Sequence, residues 1–406
     1  MMDLNLGPIF SSFMRNRTGA LLVVFQVAIA LAVLANSAWI VRQRVETLNK
    51  PTGLDEADIF VVSTAAFNEH FKYEASVQED LAYLRTLPGV VAAAPTDAAP
   101  FSQTGFSTDV WTNPTQTGAP QELNAFSMDE QGLQALGGHL RAGRQFRADE
   151  IKPPLAQRSS DFVPEVLITQ AAADVLYPGK NALGNTVFDS AGQPAAIVGI
   201  IDNLMGSLPR GLRTAYQVAL FPRLPEARSL IYLVRTEPGR RDQLLAAAEA
   251  HLAHSNPDRV IKYARPLEQF RRRLQLADSN MEIFLTTAAA LVLITTCLGI
   301  SGLVMFNVNT RTRQIGTRRA LGARRRDILR YFMVENGLLT TAGLLLGCVL
   351  AFGVGAWLTR QYGVPKLNPF YLLGSVPILG VVGQLAAWIP ARRATLVPPS
   401  VATRAQ

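Results

Sequence analysis

Four long apolar runs alternate with polar sequence along this chain of 406 residues. The runs hold no charged side chain and cover residues 19–41, 283–310, 336–359 and 370–389. About 20 apolar residues in a helix span the hydrocarbon core of a bilayer, which is about 30 Å thick. With short flanking stretches added, the runs predict transmembrane helices at 19–41, 283–310, 331–359 and 367–391.

The first run also has features of a cleaved signal peptide. Ala35 and Ser37 are small residues of the kind that precede a cleavage point. However, the run is uncharged for 23 residues, whereas the apolar core of a signal peptide has about 7–15. Its length therefore favours a retained helix.

Residues 42–282 have shorter apolar runs and frequent Gly and Pro, as expected for a folded domain outside the bilayer. A strand, a helix and a strand are predicted at 58–63, 79–87 and 90–95, and the same order recurs at 230–236, 241–254 and 260–266. The repeat indicates two halves of one α+β subdomain. The β-rich sequence between them predicts an inserted second lobe, and 266–281 predicts a stalk helix. The fold class is thus a membrane protein with four transmembrane helices and a large two-lobed α+β extracytoplasmic domain between helices 1 and 2.

The net charge of +8 is concentrated near the apolar runs. Residues 42–278 contain 24 Lys and Arg against 27 Asp and Glu, while the rest of the chain contains 15 against 4. Basic residues beside transmembrane helices orient them in the membrane. This distribution argues against nucleic-acid binding, which requires a basic face on a folded domain.

The basic segment, residues 311–330, holds eight arginines and one acid, Asp327, between two predicted spans. Because Lys and Arg are retained on the cytoplasmic side, we expect this segment, the leader 1–18 and the tail 392–406 to be cytoplasmic. The helical spacing of Ile328, Leu329, Phe332 and Met333 predicts that this face lies along the membrane surface. Glu335 lies near the same interface, where a contact with an arginine of the basic segment is expected.

Catalytic and nucleotide-binding signatures are absent from the sequence. It has no P-loop, no HExxH and no G-x-S-x-G. His251 and His254 can share one helix face, but two imidazoles without a third ligand make a poor zinc site. We expect a protein that is not an enzyme and binds no cofactor or metal.

Gly343 and Gly347 form a GxxxG pattern within the third span. Such a pattern lets two helix backbones approach closely. The contact can lie within the chain or at a seam between two chains, and both interpretations stay open.

The sequence from 311 to 347, RTRQIGTRRALGARRRDILRYFMVENGLLTTAGLLLG, closely resembles the signature of FtsX-like permeases, the membrane subunits of MacB-type ABC systems. Gln314 stands where that family often has Glu. The ending IPARRATLVPPSVATR, at 389–404, resembles the family's last helix. The stretches 137–146, 166–187 and 195–203 are similar to the MacB-like periplasmic core domain.

The resemblance implies a multi-pass permease of the bacterial inner membrane that pairs with a separate ABC ATPase and with a second permease chain, as a homodimer or heterodimer. A periplasmic adaptor and membrane lipid are further implied partners. ATP hydrolysis would move the periplasmic domain by mechanotransmission, for export or handling of peptides, lipoproteins or drugs. The residues expected to receive the ATPase are Ile315, Gly316, Arg318, Arg319, Ala320, Leu321, Gly322, Ala323 and Arg324.

A regulatory role is the alternative function. An FtsX-like protein can transmit the state of its ATPase to an envelope enzyme or sensor without moving cargo. A membrane-anchored enzyme is disfavoured because no catalytic constellation is present.

Overall fold

The structure, a computed structural model, describes residues 17–68, 71–154, 163–208, 212–225, 229–362 and 364–396. It divides into two compact units. The helical unit comprises Met1–Glu46 and Ser279–Gln406, and the large domain comprises Thr47–Asp278. Both chain connections between the units fall inside helices.

The α-helices of the described residues have the following bounds: α1 Arg17–Asn49, α2 Tyr73–Thr86, α3 Gly132–Ala135, α4 Gln170–Leu176, α5 Arg241–Ser255, α6 Leu267–Thr310, α7 Thr312–Ala320, α8 Arg325–Tyr362 and α9 Pro369–Ala394.

The strands have the following bounds: β1 Ile59–Ala66, β2 Val90–Thr96, β3 Phe106–Val110, β4 Gln121–Met128, β5 Leu140–Gly143, β6 Glu165–Thr169, β7 Thr186–Phe188, β8 Pro194–Ile201, β9 Val218–Pro222, β10 Ser229–Thr236 and β11 Arg259–Pro266.

Among the residues that the structure describes, four helices, α1, α6, α8 and α9, are long and apolar enough to cross a membrane. Their outward faces expose large apolar side chains, among them Phe284, Val349 and Phe370. Such faces are disfavoured in water and expected in lipid. The predicted four-span fold is therefore confirmed.

Helices α1 and α8 of the helical unit are in close contact through glycines and a buried asparagine amide. A Cβ at Gly343 would lie 2.7 Å from Cβ of Val27, and one at Gly347 would lie 3.0 Å from Cβ of Leu31. The Asn36 amide donates to the carbonyl of Ala351 at 3.2 Å. These contacts hold α1 against α8.

One sheet joins the described strands of the large domain in the order β11-β1-β10-β2-β4-β9-β6-β8-β5, with β3 on β4 and β7 on β8. Its first half contains both predicted strand–helix–strand units, and α2 and α5 pack on it around Phe60 and Tyr232. The second half is the inserted lobe, which packs α4 against Ile168. The predicted α+β domain with two lobes is confirmed, and the two lobes share this sheet.

The lobe junction is the place where the halves of the sheet meet. In the described ladder, β2 and β4 are joined at one residue pair, Thr96 and Met128. Asp97 and Asp129 follow these two residues directly. The carboxylate of Asp129 pairs with Arg85 at 2.5 Å, and that of Asp97 accepts from the main-chain N–H of Ser127 at 3.3 Å.

Burial raises the pKa of both junction carboxyls to about 6. The carboxyl of Asp97 is enclosed although part of the residue reaches the surface. For Asp129, the positive charge of Arg85 opposes the effect of burial without cancelling it. Removal from water disfavours a carboxylate, so both groups hold their protons more tightly than they would in the unfolded chain.

Candidate functional site at the basic segment

The basic segment folds as a helix, a tight turn and the start of a second helix. Helix α7 covers most of its first half, and α8 begins at Arg325. The turn closes with two main-chain hydrogen bonds, from Ala323 N–H to the carbonyl of Arg318 at 3.0 Å and from Gly322 N–H to that of Arg319 at 3.1 Å. This pair of bonds is the Schellman motif, which satisfies carbonyls that a helix end leaves without partners.

Gly322 makes this turn possible. Its φ is +97°, in the left-handed region that side chains with a Cβ disfavour. No atom lies within 4 Å of the position a Cβ would take, so conformation and not space selects glycine here.

Asp327, the acid of the basic segment, caps the second helix. Its carboxylate accepts from the main-chain N–H of Arg324 at 2.9 Å. A carboxylate in the first turn of a helix also interacts favourably with the helix dipole. Both sides of the turn are therefore fixed by local hydrogen bonds.

The inner face of the turn packs against the rest of the helical unit. Ile315, Ile328 and Phe332 are buried in its hydrophobic core, and Gly316 is buried beside Ile315. The prediction that the apolar face of early α8 lies along the membrane surface is thus wrong for Ile328 and Phe332. Helical spacing identifies an apolar face, but it does not say whether protein or lipid covers that face.

Arginines anchor the segment to α8. Arg311 pairs with the buried carboxylate of Glu335 at 3.1 Å and donates to the Tyr331 hydroxyl at 3.2 Å. The guanidinium of Arg318 lies over the Tyr331 ring, 5.1 Å from its centroid. The predicted contact between Glu335 and an arginine of the segment is confirmed.

A further arginine reaches the end of α9. Arg319 donates to the main-chain carbonyl of Thr395 at 3.2 Å, just after α9 ends. Cations near a helix C-terminus interact favourably with its carbonyls. The turn is therefore connected to two membrane helices, α8 and α9.

The outer face of the turn is exposed. Arg318, Ala320, Gly322 and Arg324 are exposed, and Leu321 at the tip has 84% of its surface accessible. Arg319 and Ala323 are half-buried. Of the nine residues expected to receive a partner, seven are therefore accessible, and Ile315 and Gly316 instead support the turn from within.

Sequence reasoning did not identify Tyr331 and Thr395 as parts of this site. Tyr331 lies 13 positions after Arg318 and Thr395 lies 76 after Arg319, so local spacing gave no signal for Thr395. Tyr331 could have been found, because it is an aromatic residue close in sequence to several arginines, and aromatic rings and arginines form cation–π contacts.

The two glycines predicted to pack helices lie against α1 of the same chain. A Cβ at Gly343 would also lie 2.9 Å from the main-chain oxygen of Val24. Neither glycine faces outward, which favours the interpretation as packing within the chain.

The described residues contain no group of three His, Cys, Asp or Glu side chains that could hold a metal ion. His251 stacks on Tyr83 with ring centroids 3.4 Å apart and planes 9° from parallel. His254 binds the main-chain carbonyl of Ala250 at 2.7 Å. The two histidines thus take part in separate contacts.

Two family models match the chain. The model of the MacB-like periplasmic core domain matches residues 20–251, and that of the FtsX-like permease C-terminal domain matches 286–399. The first match alone covers more than half of the chain.

Curated relatives agree with these matches. A protein of Bacillus subtilis, named as the uncharacterized ABC transporter permease YknZ, is 26% identical over 242 residues, which are 59% of this chain and 61% of YknZ. The pyoverdine export ATP-binding/permease protein PvdT of Pseudomonas syringae pv. tomato is 34% identical over 125 residues, 31% of this chain and 19% of PvdT. The matched part is thus less than two thirds of either relative.

Among solved structures, the periplasmic region of MacB from Actinobacillus actinomycetemcomitans aligns with 57% of this chain and 98% of its own length, at 12% identity and a TM-score of 0.36. The family assignment rests on the sequence matches, which cover most of the large domain and all or part of each of the four long helices. The chain therefore belongs to the family of ABC transporter permeases that combine a MacB-like periplasmic core domain with an FtsX-like C-terminal domain.

Proposed function

We propose that this chain is the permease subunit of a MacB-type transporter and that a separate ABC ATPase binds the tip of the basic segment. In this proposal the segment, the leader and the tail are cytoplasmic, and the large domain is extracytoplasmic. Two permease chains complete the transporter, and an adaptor, where one takes part, contacts the large domain.

The observation that carries the proposal is the exposed tip around Leu321. A leucine that is 84% exposed is surrounded by arginines on a turn fixed by the Schellman bonds and by Asp327. An apolar anchor flanked by charged groups is typical of a protein-binding surface. A rigid turn loses little conformational freedom when a partner binds, and it can transmit displacement to the helices that hold it.

Transmission to the large domain is proposed to follow α6. Its first turns lie in the core of the large domain, where Leu267, Phe270 and Leu274 are buried, and Arg271 pairs with Glu56 at 2.7 Å. The same helix ends at Thr310, directly before the basic segment. A movement of the segment can therefore be passed on by helix backbone instead of a flexible linker.

Export is favoured over regulation by the names of relatives. Besides PvdT, the macrolide export ATP-binding/permease protein MacB of Shewanella sp. is 28% identical over 134 residues. Because the chain itself lacks a P-loop, ATP hydrolysis is assigned to the partner. Peptides, lipoproteins and drugs are the proposed cargo classes.

The test is co-purification of the full chain from native membranes in mild detergent, followed by identification of any bound ABC ATPase. We expect an ATPase with the wild type and a loss of at least about tenfold with Leu321→Asp, because the apolar anchor becomes charged. Leu396→Asp is the matched control, since Leu396 is a 63% exposed leucine just after α9.

The proposal fails if the wild type binds no ABC ATPase. It also fails if the Leu321 and Leu396 variants retain equal amounts of the ATPase. Membrane insertion, measured by extraction with alkaline carbonate, should be the same for all three proteins.

A further inference from the structure

A lipid-facing groove of about 400 Å³ lies between α8 and α9. It is lined by Met333, Gly380, Val381, Gln384, Leu385 and Trp388. The walls are mostly apolar, and the volume falls in the range of about 300–1,000 Å³ that is typical of ligand pockets. Nothing in the proposed coupling mechanism uses this groove.

Arg392 lies at one end of the groove, beside the wall residue Trp388. The guanidinium of Arg392 lies over the Trp388 ring, 5.3 Å from its centroid, and Arg393 is the next residue. Both are exposed, and within the described ranges neither pairs with a carboxylate. Trp388 is the wall residue nearest this end, a position typical of tryptophan at a membrane interface.

The packing register brings a third arginine to the same end. Asn336 donates to the carbonyl of Gly383 at 3.1 Å, and a Cβ at Gly380 would lie 3.8 Å from Cδ1 of Leu344. Helices α8 and α9 are therefore antiparallel: a higher residue number in α8 is paired with a lower residue number in α9. The same progression places Arg330 of α8 at about the level of Arg392 of α9.

We propose that this groove binds an anionic phospholipid, with an acyl chain along the apolar walls and the phosphate between Arg330 and Arg392. Arginine forks match phosphate oxygens, and basic sites between membrane helices bind anionic headgroups. The Trp388 ring orients the Arg392 guanidinium and contacts the glycerol region of the lipid.

Gln384 provides a second polar contact, one turn deeper than Trp388. Its amide makes no hydrogen bond to any residue that the structure describes, although it lies within a membrane span. An amide without a partner is costly in hydrocarbon. An ester oxygen of the bound lipid accepts a hydrogen bond from it.

Charge favours a lipid over a second copy of the chain in this groove. A second copy with the same membrane orientation would bring its own Arg330, Arg392 and Arg393 to the same depth. Like charges at close range in a low-dielectric setting repel one another. An anionic headgroup instead neutralises them.

The experiment uses the full chain in nanodiscs of equal phosphatidylglycerol and phosphatidylcholine, from which it is released for native mass spectrometry. We expect one retained phosphatidylglycerol per chain, at a preference of at least about tenfold over phosphatidylcholine. Arg330→Gln combined with Arg392→Gln should abolish the preference. Arg313→Gln combined with Arg325→Gln removes the same charge from exposed positions outside the groove and should preserve it.

A second pair of variants tests the groove itself. Gly380→Leu fills it and should lower retention about tenfold, whereas Gly374→Leu on the same helix faces open space and should not. Equal retention of the two lipids by the wild type overturns the proposal. The proposal is also overturned if the Gly380→Leu variant retains its lipid but its dimer is no longer detected by native mass spectrometry. The groove would then be an interface between two chains.

Discussion

Gly322 shows how a single position determines the shape of the exposed turn. Its left-handed φ lets the chain reverse within the residues that separate α7 from α8, and the two Schellman hydrogen bonds follow from that reversal. The pattern Ala-Leu-Gly-Ala after a run of helix-forming residues is a recognisable stop signal. The sequence therefore contained the information that α7 ends here.

We expect Gly322→Ala to weaken the turn by about 1 kcal/mol, because alanine disfavours the left-handed region. Hydrogen exchange of the Gly322 and Ala323 amides should become about fivefold faster. Gly322→Asn is the control, since asparagine tolerates this conformation better and should have a smaller effect. Equal exchange in the alanine variant and the wild type would contradict the assigned role of Gly322.

The ion pair between Arg311 and Glu335 is expected to contribute more to stability than the conformation of Gly322 does. The Glu335 side chain is only 5% accessible and the Arg311 side chain only 18%. Breaking a buried ion pair by removing one of its two members costs about 3–5 kcal/mol.

We therefore expect Arg311→Met to lower the thermal unfolding temperature of the full chain in detergent. The double variant Arg311→Met with Glu335→Met should recover most of the loss, because both members of the buried ion pair are then replaced by apolar side chains of similar size. If the double variant is as unstable as the single one, the ion pair is not the source of the effect.

At the scale of elements, close helix packing depends on where each glycine of α8 lies. Gly343 and Gly347 face α1, whereas a Cβ at Gly353 would meet nothing within 4 Å. The sequence identified the first two by their spacing. The spacing does not say which helix the two glycines contact, because all four spans are apolar and any of them could pack against a glycine.

Gly343→Ala should destabilise the helical unit by about 1–3 kcal/mol, since its Cβ would clash with Val27 and with the main chain of Val24. Gly353→Ala on the same helix should be neutral or slightly stabilising because alanine is the better helix former. Thermal unfolding of both variants in detergent tests the prediction. The contact with α1 would be contradicted if the two variants behaved alike.

At the scale of the whole molecule, the lobe junction predicts a pH dependence of the large domain. Burial raises the pKa of Asp97 and Asp129 to about 6, above the usual value of 3.8. The folded state thus binds these protons more tightly than the unfolded state. Each carboxyl therefore makes its full contribution to the free energy of unfolding below about pH 4, and that contribution is lost as the pH rises through 6.

We expect the free energy of unfolding of the large domain to fall between pH 4 and pH 7, by up to about 3 kcal/mol from Asp129. In Asp129→Asn this slope should be clearly shallower, because one titrating group is gone. Asp174→Asn changes an exposed carboxyl on α4 and serves as the control. The measurement is thermal unfolding of the full chain across this pH range, followed by circular dichroism. The same pH dependence in the wild type, Asp129→Asn and Asp174→Asn would refute the role given to Asp129.

Much of this architecture could be predicted from the sequence because membrane spans and arginine clusters are local signals. The strands around Val61 and Leu233 were also recognisable as short apolar runs. The joining of both lobes into one sheet was not, since the pairing of Thr96 with Met128 depends on contacts between distant residues. Burial of Ile328 and Phe332 was missed for the same reason.

The narrow lobe junction also bears on how such chains can diversify. The second lobe leaves the first half of the sheet after β2 and returns at β10, and these two strands pair with each other. Exchanging the segment between them keeps the order β11-β1-β10-β2 if the new segment again completes the core that Leu133 and Leu136 share with Ala94 and Leu233. Recombination at this junction can therefore give a descendant a different second lobe while the first half of the sheet is retained.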